Sequence, residues 1–200
     1  MMEKFKGKYR IESNRLKGWD YSSNAMYFIT ICTHDRFHFF GEIENHKMVL
    51  SEMGEMAQKY WLEIPDHFPF VKLDAFVVMP NHVHGIIEIA KNNDGRNVET
   101  QYFASLRPTI EPPLPSKNKF GPQSKNLASI IRGYKSAVTT YARKMNIDFA
   151  WQSNYHDHII RDDKSYHNIA NYIINNPKHW KEETFNPVQA QDSASQKGRT

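Results

Sequence analysis

The sequence predicts an α+β sandwich, a mostly antiparallel sheet with helices packed on one face. Three observations carry that expectation. Strand-like and helix-like stretches follow the order strand, helix, strand, strand, helix, strand, helix, which suits neither an all-α nor an all-β design. Two of the strand-like runs are joined only by Pro80-Asn81, and a connection so short permits an antiparallel hairpin but no parallel crossover. No Gly-rich phosphate loop follows any strand-like run, which disfavours a doubly wound nucleotide-binding sheet.

Composition agrees with one domain that carries extensions. Of 200 residues, 40% are hydrophobic and 13% aromatic, enough apolar side chain for a real core and too much for a wholly disordered chain. Mean hydropathy is −0.69, so the surface is expected to be strongly polar. The net charge of +4 and pI near 9.0 lean toward an anionic partner such as nucleic acid. No apolar run approaches the roughly 20 residues that span a bilayer, and residues 1–10 alternate charge instead of forming an apolar leader. A cytoplasmic protein with no membrane partner is expected. The single cysteine, Cys32, excludes a disulfide framework and a thiolate zinc site.

The elements can be taken in order. Residues 1–24 mix Lys4, Lys6, Lys8, Arg10, Arg15 and Lys17 with Tyr9, Trp19 and Tyr21 and read as a basic arm. From Ala25 to Thr33 the run AMYFITICT is β-branched and aromatic, hence a first strand. Ser51 caps a first helix whose apolar positions, Met53, Met56, Ala57, Tyr60, Trp61 and Ile64, recur at helical spacing. Val71 to Met79 and His82 to Ile89 form the hairpin. Residues 90–125 accumulate Asn, Gly, Ser and Lys with five prolines and read as a flexible insertion.

Leu127, Ile130, Ile131, Tyr134, Val138, Tyr141 and Met145 then define a second long helix, with Arg132, Lys135, Arg143 and Lys144 largely off that stripe. Residues 149–161 pass from irregular chain into a strand. Asp162-Asp163 starts a third helix that Pro177 is expected to stop. Its buried stripe is predicted as Tyr166, Ile169, Ala170, Ile173 and Ile174. The polar tail, residues 187–200, is expected to be disordered, so residues 25–186 form the catalytic domain of this reading.

Two places in this layout could carry chemistry. His82 and His84 stand two apart on a strand, so both imidazoles leave one side of the sheet and fall within reach of one cation. Such a pair is common alone, and the third helix supplies the context. Tyr172 and Asn176, four apart, are neighbours on its flank, off the core stripe, where a phenol and an amide can address one point. Tyr134 and Tyr141 sit within a core stripe, where packing accounts for them.

The strings VVMPNHVHGIIEI (77–89), WQSNYHDHIIR (151–161) and NYIINNP (171–177) resemble the single-tyrosine HUH transposases, above all their REP-associated branch. The resemblance implies a ferredoxin-like or RRM-like α+β fold. It also implies a metal-dependent endonuclease and strand transferase on single-stranded, hairpin-containing DNA, working through a 5′-phosphotyrosine intermediate. Carried over residue by residue, Tyr172 matches the nucleophile, and His82, His84 and Asn176 match the ligands of Mg²⁺ or Mn²⁺. Related transposases carry Gln at the position of Asn176. Where the REP-associated branch is expected to place a Gly-Thr pair that reads a guide sequence, this chain has Asn24-Ala25-Met26.

Supporting roles complete the expectation. His158 is the favoured proton carrier over His156 and His167. Arg10, Arg15, Arg132, Lys135, Arg143 and Arg161 are expected to contact DNA phosphates, with exposed aromatics stacking bases. The working unit is a homodimer or a monomer. Two alternatives remain: a domesticated nucleic-acid-binding regulator that keeps the fold without cleavage, and a metallohydrolase in which His82 and His84 activate water.

Overall fold

A computed structural model describes residues 4–5, 8–9, 15–91 and 125–180. Two short paired strands come first, β1 (Lys4–Phe5) and β2 (Lys8–Tyr9). Next are β3 (Ala25–Cys32), a small hairpin of β4 (Gly41–Glu44) and β5 (Lys47–Leu50), and the helices α1 (Glu52–Leu62) and α2 (Ile64–His67). The chain continues through β6 (Val71–Met79), β7 (His82–Ile89), α3 (Leu127–Lys144), β8 (His156–Ile160) and α4 (Asp163–Asn175). β6, β7, β3 and β8 form a four-stranded antiparallel sheet in that order. The α+β class and the antiparallel sheet are as the sequence predicts.

Caps set the helix starts. Ser51 Oγ accepts from the Gly54 amide, Asn126 and Ser129 form a reciprocal capping box at α3, and Asp162 accepts from Ser165 at α4. As expected, α4 ends before Pro177, at Asn175. The helix passes into a 3-10 turn, Asn176–His179, whose first turn tolerates proline because no amide hydrogen is required there. Asn176 accordingly keeps helical dihedrals (φ −55°, ψ −44°) despite the proline that follows it.

The helices divide between the two faces of the sheet, which corrects the one-face expectation. One face, with Tyr27, Ile29, Ile31, Val83, Ile87 and Ile89, is covered by α1 and α3 through Trp61, Ile130, Tyr134 and Val138. The other carries Phe28, Ile86 and Ile160 against Ile169 and Ile173 of α4. Alternation along each strand produces this split, and a bulge between Leu73 and Phe76 resets the parity of β6. Leu73 and Phe76 thus both belong to the larger core, while Ala75 and Val77 meet α4.

Other expectations change in detail. Ile174 is exposed, since it lies about 100° round the helix from Ile173, and Met145 at the end of α3 is exposed too. Tyr21 is buried and stacked on Tyr27, and Trp19 packs at the core edge, so neither offers a face for bases. The β4–β5 hairpin has no counterpart in the sequence reading. Arg10, nearly all of the 90–125 insertion and the 187–200 tail lie outside the described residues.

Candidate active site

Along β7, His82 and His84 both point toward α4 and are buried, with ring centroids 4.4 Å apart. Each ring is fixed through Nδ1. His82 Nδ1 donates to Asn81 Oδ1 at 2.8 Å, and His84 Nδ1 lies 2.9 Å from Thr30 Oγ1. Holding Nδ1 in this way sets the orientation of an imidazole and directs Nε2 to the remaining partner. Desolvation pushes the His84 pKa down to about 3 and lowers that of His82 strongly, with the neighbouring His84 adding to the shift. Both rings are therefore neutral near pH 7, the form that can donate a lone pair to a cation.

Tyr172 projects from the flank of α4 as the helical spacing predicts. Its hydroxyl is 3.4 Å from His84 Nε2, and its ring packs edge-on to Phe28 with centroids 6.1 Å apart. Asn176 is buried, and its side chain stands beside both His82 and Tyr172. Burial raises the phenol's pKa, while the neighbouring Asn176 side chain lowers it. The fold thus gathers four predicted residues, two from mid-chain and two from near its end, at one point. Two neutral imidazoles and an amide are a donor set that suits a divalent cation whose charge an anionic ligand completes.

The remaining predicted residues fall elsewhere. Across the sheet, Thr30 faces His84 on one side and His156 on the other, while Phe28 faces His158. His158 therefore shares the face of the pair but sits beyond β3, half-buried, its pKa lowered by desolvation and by Arg161. A cavity of about 480 Å³ is lined by Thr30, the residue that holds His84, with Cys32, Asp35, Arg36, Asn154 and His156 among others. Arg15, Arg132, Lys135 and Arg143 converge instead on a groove of about 490 Å³ along α3, on the opposite side of the sheet. Arg161 is exposed. Trp151 is a packing residue, wedged among Phe40, Tyr134 and Phe149.

Sequence reasoning missed Thr30 and Asn81, the two residues that hold the imidazoles. A signal exists for Thr30, a lone hydroxyl in the run FITIC, whereas Asn81 shows in the sequence only as turn chemistry. Trp180, whose ring lies 5.8 Å from that of His82, had no signal. Asn24, at the departure from the REP-associated pattern, exchanges two hydrogen bonds with the backbone of Lys91 and so clamps the end of β7.

No family model matches the chain. An uncharacterized protein of Haemophilus influenzae strain Rd is 44% identical over 179 residues, covering 88% of this chain and 93% of that protein. A candidate REP-associated tyrosine transposase of the same organism is 26% identical over 158 residues, covering 79% of this chain and 73% of the relative. Among solved structures, a REP-associated tyrosine transposase bound to a REP hairpin matches with a TM-score of 0.50 and 18% identity. That match covers 86% of this chain and 73% of the other.

Proposed function

We propose, on the premise that this chain belongs to one family with the 44%-identical Haemophilus protein and is related to the REP-associated tyrosine transposases, that it is a metal-dependent single-stranded DNA endonuclease and strand transferase. The observation that carries the proposal is the position of the Tyr172 hydroxyl, 3.4 Å from His84 Nε2. A phenol on the same helix but out of reach of the pair would have no electrophile to meet.

In this reading Tyr172 Oη attacks the scissile phosphorus, the 3′ oxygen leaves, and a 5′-phosphotyrosine with a free 3′-OH results. The phosphodiester energy is kept in the new ester, so rejoining needs no nucleotide cofactor. His82, His84 and Asn176 would hold Mg²⁺ or Mn²⁺, which when bound supplies Lewis-acid polarisation of a nonbridging phosphate oxygen. Asn176 orients the phenol, Phe28 fixes its ring, and Thr30 and Asn81 keep the imidazoles aimed. Hairpin-bearing DNA is the proposed substrate, in keeping with what the structural relative binds.

The test is incubation of a hairpin-bearing single strand with the protein and Mn²⁺. A covalent protein–DNA adduct should form, and Tyr172→Phe should abolish it while DNA binding persists. Cleavage by the Phe variant would assign the chemistry to activated water instead. A DNA-binding regulator without cleavage is the second reading. What favours it is that burial raises the pKa of the Tyr172 phenol, which keeps the hydroxyl un-ionised and poorly nucleophilic. Tight, salt-dependent binding with no adduct under any divalent metal would select it.

A further inference from the structure

The basic groove and the histidine site lie on opposite faces of the sheet, yet they share lining residues. Asn154 and Tyr155 border both the groove on α3 and the cavity beside Thr30 and Cys32. We propose that residues 152–156 form a saddle over which single-stranded DNA passes from a phosphate-binding groove on α3 to the histidine site. This rests on the DNA-cleaving reading above and adds the route of the substrate.

Chemistry selects the ligand of the groove. Arg15, Arg132, Lys135 and Arg143 line it together with hydroxyls and the Asn154 amide, and no carboxylate is among its described lining residues. Arg132 and Arg143, both exposed, are eleven residues apart on one helix, about 16 Å, a span that fits a row of phosphates better than one small anion. Arg15 donates to the Tyr155 hydroxyl at 2.9 Å and lies over the rings of Tyr21 and Tyr155, so its guanidinium is held at the groove's edge.

The saddle is fixed in place. Lys135 Nζ donates to the carbonyls of Gln152 (2.8 Å) and Asn154 (3.0 Å) and sits over Trp151. Lys135 thus clips the saddle to α3, a different duty from the phosphate contact its charge suggests. On the far side the Gln152 amide donates to Cys32 O, and His156 stands opposite Thr30, the residue that holds His84. A backbone following this route turns round the start of β8. Single strands make such a turn readily, whereas a duplex, with a persistence length of about 150 base pairs, resists it.

The test uses the full chain carrying Tyr172→Phe, so that binding is read without cleavage, and a fluorescent single strand. Adding Arg132→Ala and Arg143→Ala should weaken binding about ten-fold and flatten the slope of log affinity against log salt by about 1.4, the value for two single-strand phosphate contacts. A duplex of equal length should compete at least ten-fold worse than the single strand. For the route, p-benzoylphenylalanine is placed at Ser153 or at Thr140, with the cleaved position mapped from the native chain's adduct. Cross-links from Ser153 should fall nearest that position and those from Thr140 farther along the same side. An unchanged salt slope, equal competition by duplex, or cross-links on opposite sides of the cleaved position would overturn the proposal. If the native chain forms no adduct, the cleavage reading fails, while the salt slope and the duplex competition still decide whether the groove holds single strands.

Discussion

The two faces of the sheet are built on different terms. The face under α1 and α3 is broad and almost wholly apolar, with Trp61 fully buried at its centre between Phe76 and Tyr134. The face under α4 has five buried apolar side chains, Phe28, Ile86, Ile160, Ile169 and Ile173, and places the buried polar groups Thr30, His82, His84 and Asn176 beside them. Apolar burial stabilises by about 25 cal/mol per Å², whereas each buried polar group is at best held near neutral by its hydrogen bonds. The first face therefore supplies the stability that the second spends on holding a site, and the two faces meet through β3 and β7, whose side chains alternate between them.

The comparison breaks most visibly at Trp61. Its indole lies against Gly85 so closely that a Cβ on that glycine would stand 2.3 Å from Trp61 Cζ2. Trp61→Ala should cost about 4 kcal/mol in urea unfolding. Gly85→Ala should cost about 3 kcal/mol by overpacking, and adding Trp61→Phe should recover part of that loss, because the smaller ring vacates the contact. Strictly additive losses would show that the two residues do not clash.

These contrasts also explain what could be read from the sequence. The hairpin of Val71 to Ile89 was legible because its two strand-like runs are joined only by Pro80-Asn81, a connection too short for anything but an antiparallel return, and the four-residue spacing of Tyr172 and Asn176 gave the flank of α4 for an equally local reason. That α4 covers the opposite face from α1 and α3 depends on the chain's long-range path, which no local periodicity encodes. Thr30 was missed for the same reason: its role arises only when β3 pairs with β7 and sets its hydroxyl beside His84. The β4–β5 hairpin did leave a trace, alternating residues about Asn45-His46, both of which take positive φ, but histidine is a rare partner in such a turn.

Acid should act on the α4 face selectively. His82 and His84 bind protons in the unfolded chain below about pH 6.5, but in the folded protein their pKa values are depressed. Their contribution to stability is therefore complete above that pH and is lost as pH falls. Going from pH 7.5 to 5.5 should cost about 2 to 3 kcal/mol, roughly half from each ring. Asp157, whose pKa is raised by burial, works in the opposite direction. The ring C2–H resonances of both histidines should not titrate across this interval; a midpoint near 6.5 for either would contradict their burial in neutral form.

Thr30→Val tests the same face more gently. It keeps the shape but removes the hydroxyl beside His84 Nδ1, and should cost about 1 to 2 kcal/mol. Mn²⁺ affinity should fall about ten-fold or more, the usual effect of losing a partner that orients a ligand, and Thr30→Ser should restore it. If Val and Ser behave alike in metal titrations, the hydroxyl does not position His84.

The smallest change in stability should come from the residue that matters most to the proposed reaction. Tyr172→Phe leaves the ring against Phe28 and its packing on the smaller core intact, removing only the hydroxyl's long contact to His84 and its approach to Asn176. The expected loss is below about 1 kcal/mol, because the hydroxyl's desolvation cost disappears together with its contacts. A loss as large as that of Trp61→Ala would make Tyr172 a structural residue of the α4 face, and the phenol would no longer stand out as a group kept for chemistry. In the native chain the single-turnover rate of adduct formation should rise with pH through 9, since burial raises the phenol's pKa and only its ionised form attacks readily.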